Sequence, residues 1–385
     1  MPHFRARIES KLPHVGTTIF TVMSRLAAEH NAINLSQGFP DFDCAPELRA
    51  LVTKYVNAGL NQYPPMAGVP VLREAVAEKV EALYGARYDV EHEVTIVPGA
   101  TYGIYTAVAA MVRPGDEVIL FEPAYDSYAP AVEVNGGVPV YVQLTYPDYA
   151  IPWQAVQQAI TPRTRMIVIN TPNNPTASVF SAEDLRMLEG MLAGTDVVIV
   201  SDEVYEHIVF DGHAHQSVAR FPGLAERSFL VSSFGKTYHV TGWKMGYVLA
   251  PRELTTEFRK VHQFNAFVTN APLQYAFAEH MKDREAYLGL AAFYQQKRDF
   301  FLGALEGSRF RPLPSRGTFF QNLCYDAVSD ERDTDLAVRL TRERGVASIP
   351  VSVFYREPPQ HKVLRFCFAK SETTLSRGAE ILRRI

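Results

Sequence analysis

Between Glu93 and Ala250 the chain alternates short β-branched runs with stretches patterned for helix. The runs are Val94-Thr95-Ile96-Val97, Glu117-Val118-Ile119-Leu120, Met166-Ile167-Val168-Ile169, Val197-Val198-Ile199-Val200, Phe229-Leu230-Val231 and Tyr247-Val248-Leu249. Near-continuous apolar runs suit strands covered on both faces, and an amphipathic stretch such as Ala182 to Ala193 suits a helix lying over them. Strands separated by helices need crossover connections, so the pattern predicts a mostly parallel sheet in an α/β fold.

Several runs end in polar or glycine-rich sequence. Val97 leads into Pro98-Gly99-Ala100-Thr101, Ile169 into Asn170-Thr171-Pro172-Asn173-Asn174, Val200 into Ser201-Asp202-Glu203, and Val231 into Ser232-Ser233-Phe234-Gly235-Lys236. Ligands of open α/β sheets sit beyond the carboxyl ends of the strands, so these four loops are expected to meet at one site.

The last third reads differently. Ala276 to Asp299 reads as one helix, Thr318-Phe319-Phe320-Gln321 and Val363 to Phe368 as strands, and Asp335 to Arg344 as a helix between them. We expect a larger unit over residues 45–280 and a smaller α+β unit formed by residues 281–385 together with 1–44, a leading segment too short to fold alone.

The chain has 385 residues and a formal net charge of −4, without a basic block. That excludes the electrostatic footprint of a nucleic-acid or membrane-surface binder. Cys44, Cys324 and Cys367 are widely spaced and odd in number, which suits a reducing compartment. Met1 to Val15 lacks the apolar core of a signal peptide, and no apolar run reaches the roughly 20 residues of a membrane span. The expectation is a cytoplasmic protein.

Taken singly, the polar residues at the strand ends are ambiguous. Lys236 could be a loop lysine. Gly235-Lys236-Thr237 resembles the end of a nucleotide-binding P-loop, but that motif needs a glycine where Leu230 stands. Asp202 could cap a helix. Tyr125 and Tyr205 could be core tyrosines. Gly99-Ala100-Thr101 opens a helical stretch, whose free N–H groups suit an anion. Arg365 interrupts an apolar strand and must face solvent or find a partner. His207, His213 and His215 lack metal-site spacing, and Phe210 to His213 reads as an exposed turn, so no metal is expected.

Together these residues are more telling. The segment Ser232-Ser233-Phe234-Gly235-Lys236-Thr237-Tyr238-His239-Val240-Thr241-Gly242-Trp243-Lys244-Met245-Gly246-Tyr247 strongly resembles the cofactor-lysine segment of class I aminotransferases. Further matches run in order: Asn34 to Asp41, Asn61-Gln62-Tyr63, Pro98 to Thr101, Asn173 to Thr176, Ser201 to Tyr205, and Leu364-Arg365-Phe366. The resemblance is closest to the branch of methionine aminotransferases and kynurenine aminotransferases (glutamine transaminases). One departure is Ala177, where the family usually has glycine.

The resemblance implies the fold type I of pyridoxal-phosphate-dependent transferases, a large domain built on a mostly parallel seven-stranded sheet with a smaller α+β domain. It implies pyridoxal 5′-phosphate held as an imine on Lys236, whose freed amine then serves as general base. Asp202 would keep the pyridine nitrogen protonated. Asn174 and Tyr205 would donate to the ring 3′-oxygen, and Tyr125 would stack on the ring. Gly99, Ala100, Thr101, Ser233 and Lys244 would hold the phosphate, with Tyr63 reaching it from the other subunit of a homodimer with shared sites. Arg365, with Asn174 and the backbone of Gly38, would take the substrate carboxylate.

Two other classes compete. A β-lyase acting on cysteine S-conjugates would use the same lysine. A transcription regulator with an aminotransferase-like sensor needs a DNA-binding domain ahead of the family pattern, which here begins by about Asn34. The stretches that resemble the family's side-chain pocket, Gln37-Gly38-Phe39, Asn61-Gln62-Tyr63 and Tyr125, offer aromatic and amide surface without arginine. Each buried methylene gains roughly 0.8 kcal/mol there, whereas an unpaired carboxylate costs several. The expected activity moves the amino group of methionine, or another large uncharged or aromatic amino acid, to a 2-oxo acid. The alternative is kynurenine–oxoglutarate transamination or β-lyase chemistry on the same site.

Overall fold

The structure, a computed structural model, describes residues 7–385. Residues 1–6, assigned above to the smaller unit, lie outside the described residues.

Seven strands form the central sheet: β1 (Val94–Val97), β2 (Glu117–Glu122), β3 (Val138–Gln143), β4 (Thr164–Asn170), β5 (Val198–Asp202), β6 (Ser228–Ser233) and β7 (Gly246–Leu249). Their spatial order is β1-β7-β6-β5-β4-β2-β3. β7 runs antiparallel to both neighbours and the other pairs are parallel. β3 went unread in the sequence because it is an edge strand, half-exposed along most of its length. It therefore lacks the continuous apolar run that marks a strand covered on both faces.

One sheet face packs Ile96, Ile119, Ile167, Ile199 and Leu230 with the Pro70–Tyr84 and Ala182–Leu192 helices. The other packs Val97, Val118, Val168, Val200 and Val231 against the Ala100–Met111 helix and Phe258. Ser181 caps the Ala182–Leu192 helix in a reciprocal box with Asp184, which fixes where it starts.

A separate cluster joins Met23, Leu26 and Leu35 to Phe301, Phe366, Leu375 and Leu382. Its sheet has the order Ile349–Pro350, Val363–Cys367, Phe320–Cys324, Arg311–Pro312, all antiparallel. Ile33–Asn34 pairs in parallel with Val346–Ala347, tying the first part of the chain to the last. One expectation is corrected. Ala276 to Asp299 is not a single helix but parts of three, Ala271–His280, Glu285–Leu288 and Leu290–Ala304. The break falls where the Asp283 carboxylate accepts the N–H of Glu285 at 3.1 Å and competes with continued helix.

Candidate active site

The carboxyl ends of β4, β5 and β6, with the turn after β1, surround a cavity of ≈150 Å³. Lys236 and Asp202 line it, as do Tyr205, Tyr125 and Asn174. Gly99, Ala100, Thr101, Ser233 and Lys244 line its other end.

Gly99 has φ +92°, a conformation that side chains other than hydrogen rarely adopt. It caps the Ala100–Met111 helix and presents that helix's free N–H groups to the cavity. A Cβ on Gly99 would lie 3.5 Å from Lys244 Nζ, so the ammonium sits directly over the helix start. Gly246 allows the same close packing from β7: a Cβ there would come within 2.6 Å of the Ser232 carbonyl oxygen. Helix N-terminus, Lys244 and the Ser233 hydroxyl together make a corner suited to a phosphate-like anion.

Lys236 lies in a single helical turn, Phe234–Thr237, capped by Ser233. Its Nζ donates to the Gly38 carbonyl oxygen at 3.1 Å and sits 5.4 Å from the Tyr205 ring centre. Burial pushes the Lys236 amine down to about 8, which leaves about a tenth of it neutral at pH 7. The Asp202 carboxylate accepts the Tyr128 hydroxyl at 2.5 Å and the Val204 N–H at 3.2 Å. Burial nonetheless pushes it up to about 6. A cation arriving in the cavity would reverse that shift.

Asn170 Oδ1 accepts the Asn174 N–H at 2.7 Å, and Asn170 Nδ2 donates to the Asp202 carbonyl at 2.9 Å. This links the ends of β4 and β5. The Asn174 side chain in turn accepts from Arg365 Nη1. Arg365 is 1% exposed. Its guanidinium lies 3.9 Å above the Phe320 ring centre, with Phe20 and Phe354 at 5.3 and 5.5 Å. Nη2 donates to the Ser36 carbonyl at 3.3 Å, and Nε has no partner among the described residues. Among the described residues no carboxylate pairs with it. Burial lowers its pKa to about 10, so it stays charged.

The structure thus brings Lys236, Asp202, Tyr205, Tyr125, Asn174 and the phosphate-corner residues to one cavity, with Gly38 and Arg365 bonded to Lys236 and Asn174. It does not bring Tyr63 there. That side chain is 82% exposed beside Asn61, Gln62 and Phe267. Sequence reasoning missed Tyr128, the donor to Asp202; its place at the start of the Tyr128–Val134 helix, close to Tyr125, was the available signal. It also missed the rings around Arg365, which lie far apart in the chain. His207 and His215, weighed above as metal candidates, are buried beside Glu206 and Glu203. Ala177, at the position where glycine is usual, has φ +62°.

The sequence pattern of the family described as aminotransferase class I and II matches residues 30–382. The chain is 49% identical to the methionine aminotransferase of Escherichia coli over 98% of each chain. A solved Escherichia coli structure reported with a methionine aminotransferase function superposes with a TM-score of 0.97, at 49% identity over 99% of this chain and all of that one. A probable N-succinyldiaminopimelate aminotransferase of Mycobacterium tuberculosis is 38% identical over 98% of this chain and 97% of its own. Human kynurenine–oxoglutarate transaminase 1 is 34% identical over 94% of each.

Proposed function

This chain belongs to the class I and II aminotransferases, and on that premise we propose that it takes the amino group of methionine and other large uncharged amino acids to a 2-oxo acid, using pyridoxal 5′-phosphate. The observation that carries the proposal is Arg365. A buried guanidinium held only by an amide and a carbonyl, with Nε free, is a costly arrangement until a carboxylate completes it. A planar bidentate donor at that place suits the carboxylate common to amino and oxo acids.

The residues present fit the cofactor. An amine of lowered pKa, a carboxylate short of a cation and a glycine-opened helix under a lysine line the same cavity. Bound there, pyridoxal phosphate supplies an aldehyde for amines and a ring that stabilises negative charge at the substrate Cα. Lys236 would hold it covalently and, once displaced, take up the substrate Cα proton at Nζ and pass it on to the cofactor. Asp202, kept in place by Tyr128, would hold the ring nitrogen protonated. Asn174 and Tyr205 would face the ring oxygen, and Tyr125 the ring itself. Gly99, Ala100, Thr101, Ser233 and Lys244 would bind the phosphate. Arg365, with Asn174 and the backbone of Gly38, would take the substrate carboxylate and close the substrate side.

Tyr63 would reach the phosphate of a second copy, giving a homodimer with shared sites. Its exposure, alongside Phe264 at 85% and Phe267 at 42%, supports this. We take residues 45–280 as the cofactor-binding domain and 1–44 with 281–385 as the smaller one, supported by the C-terminal cluster that draws in Met23, Leu26 and Leu35. A cytoplasmic setting is supported by three buried free cysteines.

The choice of donor follows the Escherichia coli relative, with Gln37-Gly38-Phe39, Asn61-Gln62-Tyr63 and Tyr125, which include no arginine, as the apolar side-chain pocket. With one common 2-oxo acid, kcat/KM for methionine should exceed that for kynurenine by roughly tenfold and that for aspartate by about 100-fold. A better rate with aspartate would overturn the apolar pocket, and a better rate with kynurenine would move the preference to the human relative's substrate.

A further inference from the structure

Residues 35–41 run along the exit of the Arg365 strand, and the two segments are fastened at both ends. Cys367 N–H donates to the Leu35 carbonyl at 2.7 Å, and Arg365 Nη2 to that of Ser36 at 3.3 Å. At the other end Asp41 N–H donates to the Ala369 carbonyl at 3.3 Å. The Asp41 carboxylate accepts Ser371 N–H at 2.6 Å and the Thr374 hydroxyl at 2.7 Å. Between these fastenings lies Gly38, whose carbonyl accepts Lys236 Nζ. A Cβ on Gly38 would meet the Phe320 ring at 2.7 Å, the same ring that lies under the Arg365 guanidinium.

Lys370 stands out in this strap. It is 4% exposed, and among the described residues its ammonium donates to one group, the Phe39 carbonyl, at 2.7 Å. The Phe39 ring lies 5.0 Å away. Lys297 reinforces the same place, donating to the Lys370 carbonyl at 2.9 Å and sitting 4.8 Å from the Phe42 ring centre. A buried ammonium with one carbonyl and one ring is poorly repaid as packing alone. Lys370 lies five positions after Arg365, and what it holds is Phe39, the residue next to Gly38.

We propose that Lys370 is a positioning residue for recognition of the substrate carboxylate: it fixes the 36–41 strap against the Arg365 strand, and so sets Gly38 and Arg365 relative to Lys236. This rests on the reading of Arg365 as the carboxylate anchor. A strap that drifts leaves Lys236 and its chemistry in place but loosens the closed substrate side, so binding should suffer before turnover does.

The probe is 4-(methylthio)butanoate, which has the carboxylate and side chain of methionine but no amine to react. Its Kd for the holoenzyme should rise about tenfold in Lys370→Met, equivalent to about 1.4 kcal/mol. KM for methionine should rise in parallel, with kcat changed by less than about twofold. Lys370→Arg, which can still donate to Phe39, should come back to within about threefold of the parent. Asp41→Ala, at an exposed side chain that cannot cost the fold much, should weaken the probe by about three- to fivefold. Cofactor retention during dialysis should not change in any of these variants. Parent-like probe binding in both Lys370→Met and Asp41→Ala overturns the proposal, and so does a loss of cofactor as large as the loss of probe. Arg365→Gln separates the two readings. If it binds the probe like the parent, the carboxylate site itself is wrong; if it alone weakens the probe, only the role of the strap falls.

Discussion

Asp202 and Glu206 leave the same strand end four residues apart, and both carboxyls are buried. Around Glu206 the fold is complete. Its carboxylate accepts Lys79 Nζ at 2.7 Å and the hydroxyls of Tyr84 at 2.6 Å, Tyr247 at 2.8 Å and Ser232. Burial pushes the Glu206 carboxyl up, but the Lys79 charge and these donors reverse the shift and hold it well below the usual carboxylate range. Around Asp202 burial wins, because one hydroxyl, one N–H and the more distant Lys236 do not offset it. Glu206 is thus a solved electrostatic problem that ties Tyr205 and Ser233, its own neighbour and that of Ser232, to the Pro70–Tyr84 helix and β7. Asp202 is an unsolved one, and unsolved problems of this kind mark sites that await a ligand.

The largest expected effect tests the open region. Lys236→Ala should lose turnover by at least about 10⁴-fold, since on the proposed reading it removes both covalent attachment and the base. In the parent, borohydride reduction followed by peptide mapping should label Lys236; a label on another lysine would sink the assignment.

How far each region was legible follows from the same contrast. Asp202 and Lys236 could be picked out because each lies in the polar sequence that follows an apolar run, where the parallel-sheet pattern places a site, and in a segment that resembles the family. Glu206 gave no such signal. Its partner Lys79 lies 127 positions earlier, on a helix whose apolar pattern says nothing about an ion pair. Arg365 was legible as a charge in an apolar strand, but not its stacking on Phe320 or its bond to Asn174, which is 191 positions away. Side chains that meet across the two parts of the chain leave no local period. Tyr63 marks the same limit from the other side: a single chain leaves it in solvent.

The next effect tests the closed region. Lys79→Met leaves Glu206 as a buried carboxylate without its cation, and removing one partner of a buried pair typically costs about 3–5 kcal/mol. Urea unfolding should show that loss, while kcat of the folded holoenzyme stays within about threefold of the parent. A variant as stable as the parent would mean that the hydroxyls alone satisfy Glu206 and that its network is not what separates it from Asp202.

The smallest effect on stability tests Asp202, where function and stability should move in opposite directions. Asp202→Asn cannot hold a ring cation by charge, so kcat should fall by about 10²–10³-fold. The apoprotein should become more stable. Asp202 has a folded pKa of about 6 against an ordinary value of 3.8, so between these values the folded state binds more protons than the unfolded one. Stability from this group is therefore complete below about pH 4 and is lost as pH rises through 6. At pH 8 the parent bears the whole penalty, and the variant, which has nothing to ionise, bears none. A shift of this size corresponds to about 2–3 kcal/mol, which the new amide, needing an acceptor of its own, should reduce to about 1–2 kcal/mol. Other titrating groups are common to both proteins and cancel in the difference. Urea unfolding of both apoproteins at pH 4 and pH 8 measures it. The variant's advantage should grow with pH; an advantage that is equal at the two pH values, or absent at both, would mean that Asp202 is as well satisfied as Glu206 and that the cavity holds no place prepared for a cation.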